Sequence, residues 1–394
     1  MRRVAIQAVM MGLALAAMLR GQGTQKADAE KSAAIALERD GKNAEAEAAW
    51  RGYLKTHPSS PEPYAHLGVL EAGLGHYKEA IAFYRKALTL GPPLPSLRLN
   101  LGLAQFKAGD LKAAIQTFTP LLKLQPKNQQ LVTLIGMAHY GLAEYAAAVP
   151  YLRQAAASDA QSVPLRLALA NSCLWAKQNQ CVLDVYQEIL ALNPESAEAD
   201  MLAGEALDDM KDNERSTKMF RAAVKANPKE PNAHFGLGYL LWSQKLFAEA
   251  ASEFQAELAN DPDHVQAKLY LADTDIQMNQ MDAALPLLEN VVRQNPSLPL
   301  VHLDLGIVYS ETGQKEEALK ELTAAEKIMP DEVNVHWRLA RLYRALGKKD
   351  EARAEFEKAD KLNKAEDEDL FKKIANGQQR PAPVPEPATA APNP

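Results

Sequence analysis

Proline recurs along this chain at a constant step of 34 residues: Pro58, Pro92, Pro126, Pro194, Pro228, Pro262, Pro296 and Pro330. Only Ala160 and Lys364 stand where the step would place a further proline. A step held from end to end without an insertion marks a repeat array, in which each unit packs on its neighbours instead of sharing one central core. The frame sets ten units at 27–60, 61–94, 95–128, 129–162, 163–196, 197–230, 231–264, 265–298, 299–332 and 333–364. Chain length therefore says nothing here about domain number.

Within the units, bulk is excluded at two fixed places. The eighth position is Ala34, Gly68, Gly102, Gly136, Ala170, Gly204, Gly238, Ala272, Gly306 and Ala340. Twelve residues on come Ala46, Ala80, Ala114, Ala148, Val182, Ser216, Ala250, Ala284, Ala318 and Ala352. Four residues further sits a large apolar side chain: Trp50, Tyr84, Phe118, Leu152, Tyr186, Phe220, Phe254, Leu288, Leu322 or Phe356. Antiparallel helices approach closely only where side chains are small, so each unit reads as a helix-turn-helix hairpin and the chain as all-α. Pro61, Pro95, Pro231 and Pro299 suit the opening of first helices, where the missing N–H is no loss. Pro120, Pro150 and Pro286 fall within second helices, where they are expected to kink the chain.

The pattern resembles the tetratricopeptide repeat, W-x2-L-G-x2-Y followed by A-x3-F and then P, over about residues 27–364. The ninth unit keeps His302, Leu305, Gly306, Tyr309, Ala318, Leu322 and Pro330 at those places. The first tryptophan is not kept: that fourth position reads Glu30, Tyr64, Arg98, Val132, Arg166, Asp200, His234, Lys268, His302 and His336, which points to partial exposure there. The resemblance implies a right-handed superhelical solenoid whose concave wall is built from first helices. It also implies a protein or peptide ligand along that wall, at the second, fifth, ninth, twelfth and thirteenth positions of each unit.

Carried onto this sequence, those positions give Leu99, Leu103 and Phe106, then Thr133, Met137 and Tyr140, then Leu167, Asn171, Leu174 and Trp175. Further along they give Phe235, Tyr239 and Trp242, then Leu269 and Asp273. A wall facing water is expected to be polar unless something covers it, so this aromatic strip marks a binding face. The competing reading is packing between units. In the last unit Trp337, Arg341 and Arg344 lie close to one face and could receive a carboxylate, or the arginines could pair with Asp304 and Glu311 of the unit before. The terminal-carboxylate clamp of some family members is not reproduced, because Lys31 is followed by Ile35.

The ends and the cysteines speak to compartment. Arg2 and Arg3 precede the apolar run Val4–Leu19, a layout of a secretory signal over residues 1–23, or of an uncut membrane tether through residues 4–19. Cys173 and Cys181 flank the turn of the fifth unit on facing helices, at a spacing that allows a disulfide. Residues 365–376 read as a capping helix with Leu370, Phe371 and Ile374 on one side, and 377–394 as a proline- and alanine-rich disordered tail.

The chain is mildly acidic, with a formal charge of -6, and carries no basic stripe, which argues against nucleic acid. His234, His302 and His336 recur one hairpin or more apart and so do not share a metal; the acidic run Asp200, Glu205, Asp208, Asp209, Asp212 and Glu214 is no compact cation loop. No phosphate loop, nucleophile elbow or paired-histidine motif occurs, so neither catalysis nor a cofactor is expected. The reading is an exported, non-enzymatic scaffold. Its alternatives are a membrane-tethered envelope assembly factor and a recruiting subunit of a separate envelope enzyme.

Overall fold

The computed structural model describes residues 26–92 and 94–375, with side chains through Ala365. The signal-like segment 1–23, the side chains of Leu370, Phe371 and Ile374, and the tail 377–394 lie outside the described residues. Among those described there are helices and turns but no strand, and no helix is long and apolar enough to cross a membrane.

The chain divides into two compact units, Met1–Asp212 and Asn213–Pro394. The first holds α1 (26–39), α2 (Asn43–Thr56), α3 (Pro61–Gly73), α4 (Tyr77–Leu90), α5 (Pro95–Lys107) and α6 (Leu111–Leu124). It continues through α7 (Gln129–Gly141), α8 (Tyr145–Ser158), α9 (Val163–Trp175), α10 (Asn179–Leu192) and α11 (Ala197–Asp209). The second unit holds α12 (Asn213–Ala226), α13 (Ala233–Ser243), α14 (Phe247–Asn260), α15 (Val265–Gln277) and α16 (Met281–Gln294). It ends with α17 (Pro299–Glu311), α18 (Lys315–Ile328), α19 (Val333–Ala345) and α20 (Lys349–Ala375). Within each unit every helix packs on the next along the chain, the arrangement of an all-α solenoid.

Sequence accounts for this closely. At the eighth position a Cβ on Gly102 would lie 2.3 Å from the ring of Phe118, and one on Gly68 2.5 Å from that of Tyr84. Gly238 meets Phe254 and Gly306 meets Leu322 in the same way. So the glycine is the socket for the large residue of the partner helix, and ridges can interdigitate there only because the socket carries no side chain. The second small position is sealed: Ala46, Ala80, Ala114, Ala148, Ala250, Ala284 and Ala318 are fully buried. Side chains of Asn128, Ser162 and Ser196 accept from the backbone N–H groups that open α7, α9 and α11.

Three expectations need correction. The first concerns the fourth position, which is buried in six units as Val132, Arg166, Asp200, Lys268, His302 and His336. Burial is tolerated because each polar side chain finds a partner. His302 Nδ1 lies 2.7 Å from Glu321 Oε2 and its Nε2 2.9 Å from the Pro296 carbonyl oxygen. His336 repeats this with Glu355 and Pro330, and Arg166 Nε donates to Glu188 at 3.0 Å. A polar latch tying first helix, second helix and preceding turn has replaced the apolar anchor.

Second, Pro231 does not open its helix. Asn232 is left-handed (φ 66°), and α13 begins at Ala233 with Glu257 accepting from the N–H groups of Asn232 and Phe235. Third, residues 365–375 are not a separate cap: α20 runs unbroken from Lys349 to Ala375. The reason is local, since Lys364 stands where other units have the proline that stops a second helix. Pro120, Pro150 and Pro286 do lie inside α6, α8 and α16.

Candidate partner-binding faces

First helices present the residues at issue, and each unit offers its own set. In the first compact unit Leu99, Leu103, Phe106, Met137, Tyr140, Leu167 and Asn171 are half-buried on α5, α7 and α9. Trp175, closing α9, is 61% exposed and stacks on Tyr145 with ring centroids 5.9 Å apart; Tyr140 meets the same tyrosine edge-on at 6.0 Å. Leu174 is buried. The Cys173–Cys181 pair is bonded across the α9–α10 turn, Cα atoms 5.9 Å apart, which fixes the end of the helix that carries Trp175.

In the second unit the aromatic residues gather into a continuous cluster. Tyr239 and Trp242 stack at 5.9 Å, and Tyr270 stands against Tyr239 (5.3 Å), Trp242 (5.1 Å), Phe235 (6.0 Å) and Phe254 (6.0 Å). Tyr239 keeps 37% of its surface exposed, whereas Leu269 is 4% exposed and belongs to the core packed by α15 to α19. Leu269 is therefore a packing residue, not part of a free face. Tyr270 is the hub that sequence reasoning missed. It occupies the sixth position of its unit, four residues after position two and three before position nine, so helical geometry places it on the same face.

The sixth position also explains the charges. Arg338 Nη1 lies 3.7 Å from Glu311 Oε1, so it is Arg338, not Arg341 or Arg344, that pairs back to the preceding hairpin. Arg341 instead lies over the Trp337 ring at 4.8 Å and Arg344 near the Phe356 ring at 6.0 Å. Trp337 is 42% exposed. The Trp242 indole N–H donates to Asp273 Oδ2, and Gln277 Nε2 reaches Asp273 Oδ1 at 3.4 Å. Burial pushes the Asp273 carboxyl above the usual carboxylate range.

Two clusters that could suggest a metal are already satisfied internally. Glu326, His336 and Glu355 bring their ligand atoms within 4.8 Å of one another, but Lys358 Nζ donates to Glu326 at 2.9 Å and to Glu355 at 2.7 Å. A fixed ammonium thus supplies the positive charge. In the acidic run, Asp200 is buried and accepts from the Tyr186 hydroxyl at 2.7 Å, while Asp209 accepts from Lys177 at 2.8 Å. Burial, with Asp209 beside it, pushes the Glu205 carboxyl up.

The family models agree with this architecture. Sequence models of the tetratricopeptide repeat match residues 31–95 and 206–265, and again 71–137, 241–297, 275–332 and 311–370. No curated protein matches the chain. Among solved structures it is similar to YrrB, described as a TPR protein with an unusual peptide-binding site, at 18% identity and a TM-score of 0.40, covering 48% of this chain and 97% of that one. It is similar also to MamA 41-end from Desulfovibrio magneticus RS-1, at 20% identity and a TM-score of 0.40 over 43% of this chain and 97% of that one. A further MamA structure, MSR-1 C2, shares 24% identity at a TM-score of 0.37, covering 41% and 94% of the two chains. With its repeat frame, its glycine sockets and the matches spread along both units, the chain belongs to the tetratricopeptide repeat family, whose members are protein-interaction scaffolds.

Proposed function

We propose that this chain is an exported, non-enzymatic scaffold that holds a protein or peptide partner against the faces built by its first helices. The observation that carries the reading is the aromatic cluster of Phe235, Tyr239, Trp242 and Tyr270, with Tyr239 open to water. Large aromatic side chains with surface open to water offer a partner much area at little entropic loss. Trp175 gives the first unit a second anchor of the same kind.

Affinity capture tests it. Wild-type protein is expected to recover a partner that a Tyr239→Ala, Trp242→Ala double variant loses by tenfold or more, a loss of about 1.4 kcal/mol or greater. Equal recovery by a folded variant would sink the reading. Export is supported by the arginine-led apolar run at residues 1–23 and by the bonded cysteines, a pairing at home in oxidising compartments. The mass of the mature protein reports on it: removal of about the first 23 residues fits secretion, and an intact Met1 fits a tether through residues 4–19.

A further inference from the structure

In the second unit a cavity of about 350 Å³ opens between α15, α17 and α19, at the low end of the volumes that hold small ligands. Its polar lining includes Asp273, Asp304, Glu311 and Arg338, one helix after another. Asp304 is 1% exposed, and its Oδ2 has no hydrogen-bond partner among the described residues. The buried Nε of Arg338 has none either. Asp304 and Arg338 therefore line one cavity with Oδ2 and Nε both unpaired, while Arg338 Nη1 lies 3.7 Å from Glu311.

A buried, unpaired carboxylate is costly, and such a group in a native structure calls for something that completes it. Burial, with Asp273 nearby, holds the Asp304 carboxyl well above the usual carboxylate range, and Arg338 offsets this only in part. Three carboxyl groups share the cavity with one guanidinium, a deficit of positive charge that a cationic ligand would fill while drawing those groups into their ionised forms. A bare metal ion does not fit the deficit, since the Asp273, Asp304 and Glu311 oxygens do not converge on one point as Glu326, His336 and Glu355 do. Apolar walls from Ile276, Leu303 and Ile307 suit a methylene stem behind a charged head. The cavity also adjoins the aromatic cluster, because Asp273 accepts from Trp242 and the charges of Asp273 and Asp304 both act on the Tyr270 hydroxyl.

We propose that this cavity receives a basic side chain, a lysine or arginine of the bound peptide, with Asp304 and Asp273 taking its charged head and the Arg338 Nε–H donating to a peptide carbonyl. The inference rests on the peptide-binding reading above and adds the chemistry of one anchor residue.

Fluorescein-labelled Gly-Ser-Tyr-Xaa-Tyr-Ser-Gly peptides, with Xaa lysine, arginine, norleucine or glutamate, test it by anisotropy against the full chain. The lysine or the arginine peptide is expected to bind about tenfold or more tighter than the norleucine one, and the two arms separate an ammonium from a guanidinium preference. Asp304→Asn, which keeps the shape, is expected to cut that preference to under about threefold, and Asp273→Asn to weaken it in the same direction, each with an unchanged circular-dichroism spectrum. Equal binding of basic and norleucine peptides, a full preference surviving in Asp304→Asn, or binding of none of the peptides would overturn the proposal. Equal binding that is lost in Tyr239→Ala, Trp242→Ala overturns this anchor alone and leaves the aromatic face standing. If no peptide binds, the capture experiment judges that face separately.

Discussion

At the scale of single residues, the fifteenth position of every unit is left-handed. Glycine fills it at Gly41, Gly75, Gly109, Gly313 and Gly347, but Ala143, Lys177, Lys211, Lys245 and Asn279 hold φ between 57° and 64° in the middle hairpins. A side chain there costs about 1–2 kcal/mol, part of which glycine would give back as chain entropy. Ala143→Gly and Lys245→Gly are each expected to stabilise the protein by about 0.5–1 kcal/mol, read as a rise in urea midpoint. A fall in midpoint would show that the turn does not carry this strain. Asp275 provides a second residue-scale prediction. Burial raises its carboxyl to about 6 from an ordinary value of 3.8, so its folded form resists ionisation. A raised carboxyl pKa lowers stability as pH climbs through that window. Asp275→Asn should therefore melt higher than wild type at pH 7, with the gap closing as pH falls from 6 towards 4. The small residues at positions eight and twenty were legible in the sequence because exclusion of bulk leaves a direct trace in residue type. Asp304, Arg338 and Tyr270 were not, because helical periodicity is read from apolar residues and a buried charge looks like a surface one until its surroundings are known.

At the scale of elements, helix starts could be read at Pro61, Pro95 and Pro299, and went astray at Pro231, where a tertiary partner took over. Glu257, reaching from α14, shifts the start of α13, and the absence of proline at Lys364 lets α20 continue. Only the first lacks a local signature; the missing proline stands in the sequence itself. The α9–α10 hairpin is the one where Val182 stands in place of the small residue, and there the disulfide supports the pairing. Closing so short a loop restrains the unfolded chain by about 2–3 kcal/mol in the chain-entropy account. A Cys173→Ser, Cys181→Ser variant is expected to lose that amount in denaturant unfolding. Wild type with reductant should match it, and a loss of less than about 0.5 kcal/mol would leave the bond without a stabilising role.

For the molecule as a whole, stability is a sum over neighbours, because helices touch chiefly those adjacent in sequence. Damage should then stay local. Reduction of Cys173–Cys181 is expected to speed amide hydrogen exchange in α8 to α11 while leaving α17 and α18 as protected as before. Uniform loss of protection would mean that the two units unfold as one. The same architecture lets each unit carry its own aromatic anchors, Trp175 in one and the Tyr239–Trp242–Tyr270 group in the other, without either disturbing the other's core.

The unvarying step has one more consequence. Second helices begin at Asn43, Tyr77, Leu111, Tyr145, Asn179, Asn213, Phe247, Met281, Lys315 and Lys349, with never a residue gained or dropped. A cut at one such place and a splice at the next would join backbone to backbone in matching geometry. Array length is thus an editable quantity: genetic duplication or excision of one whole module changes reach while leaving every surviving joint as it was.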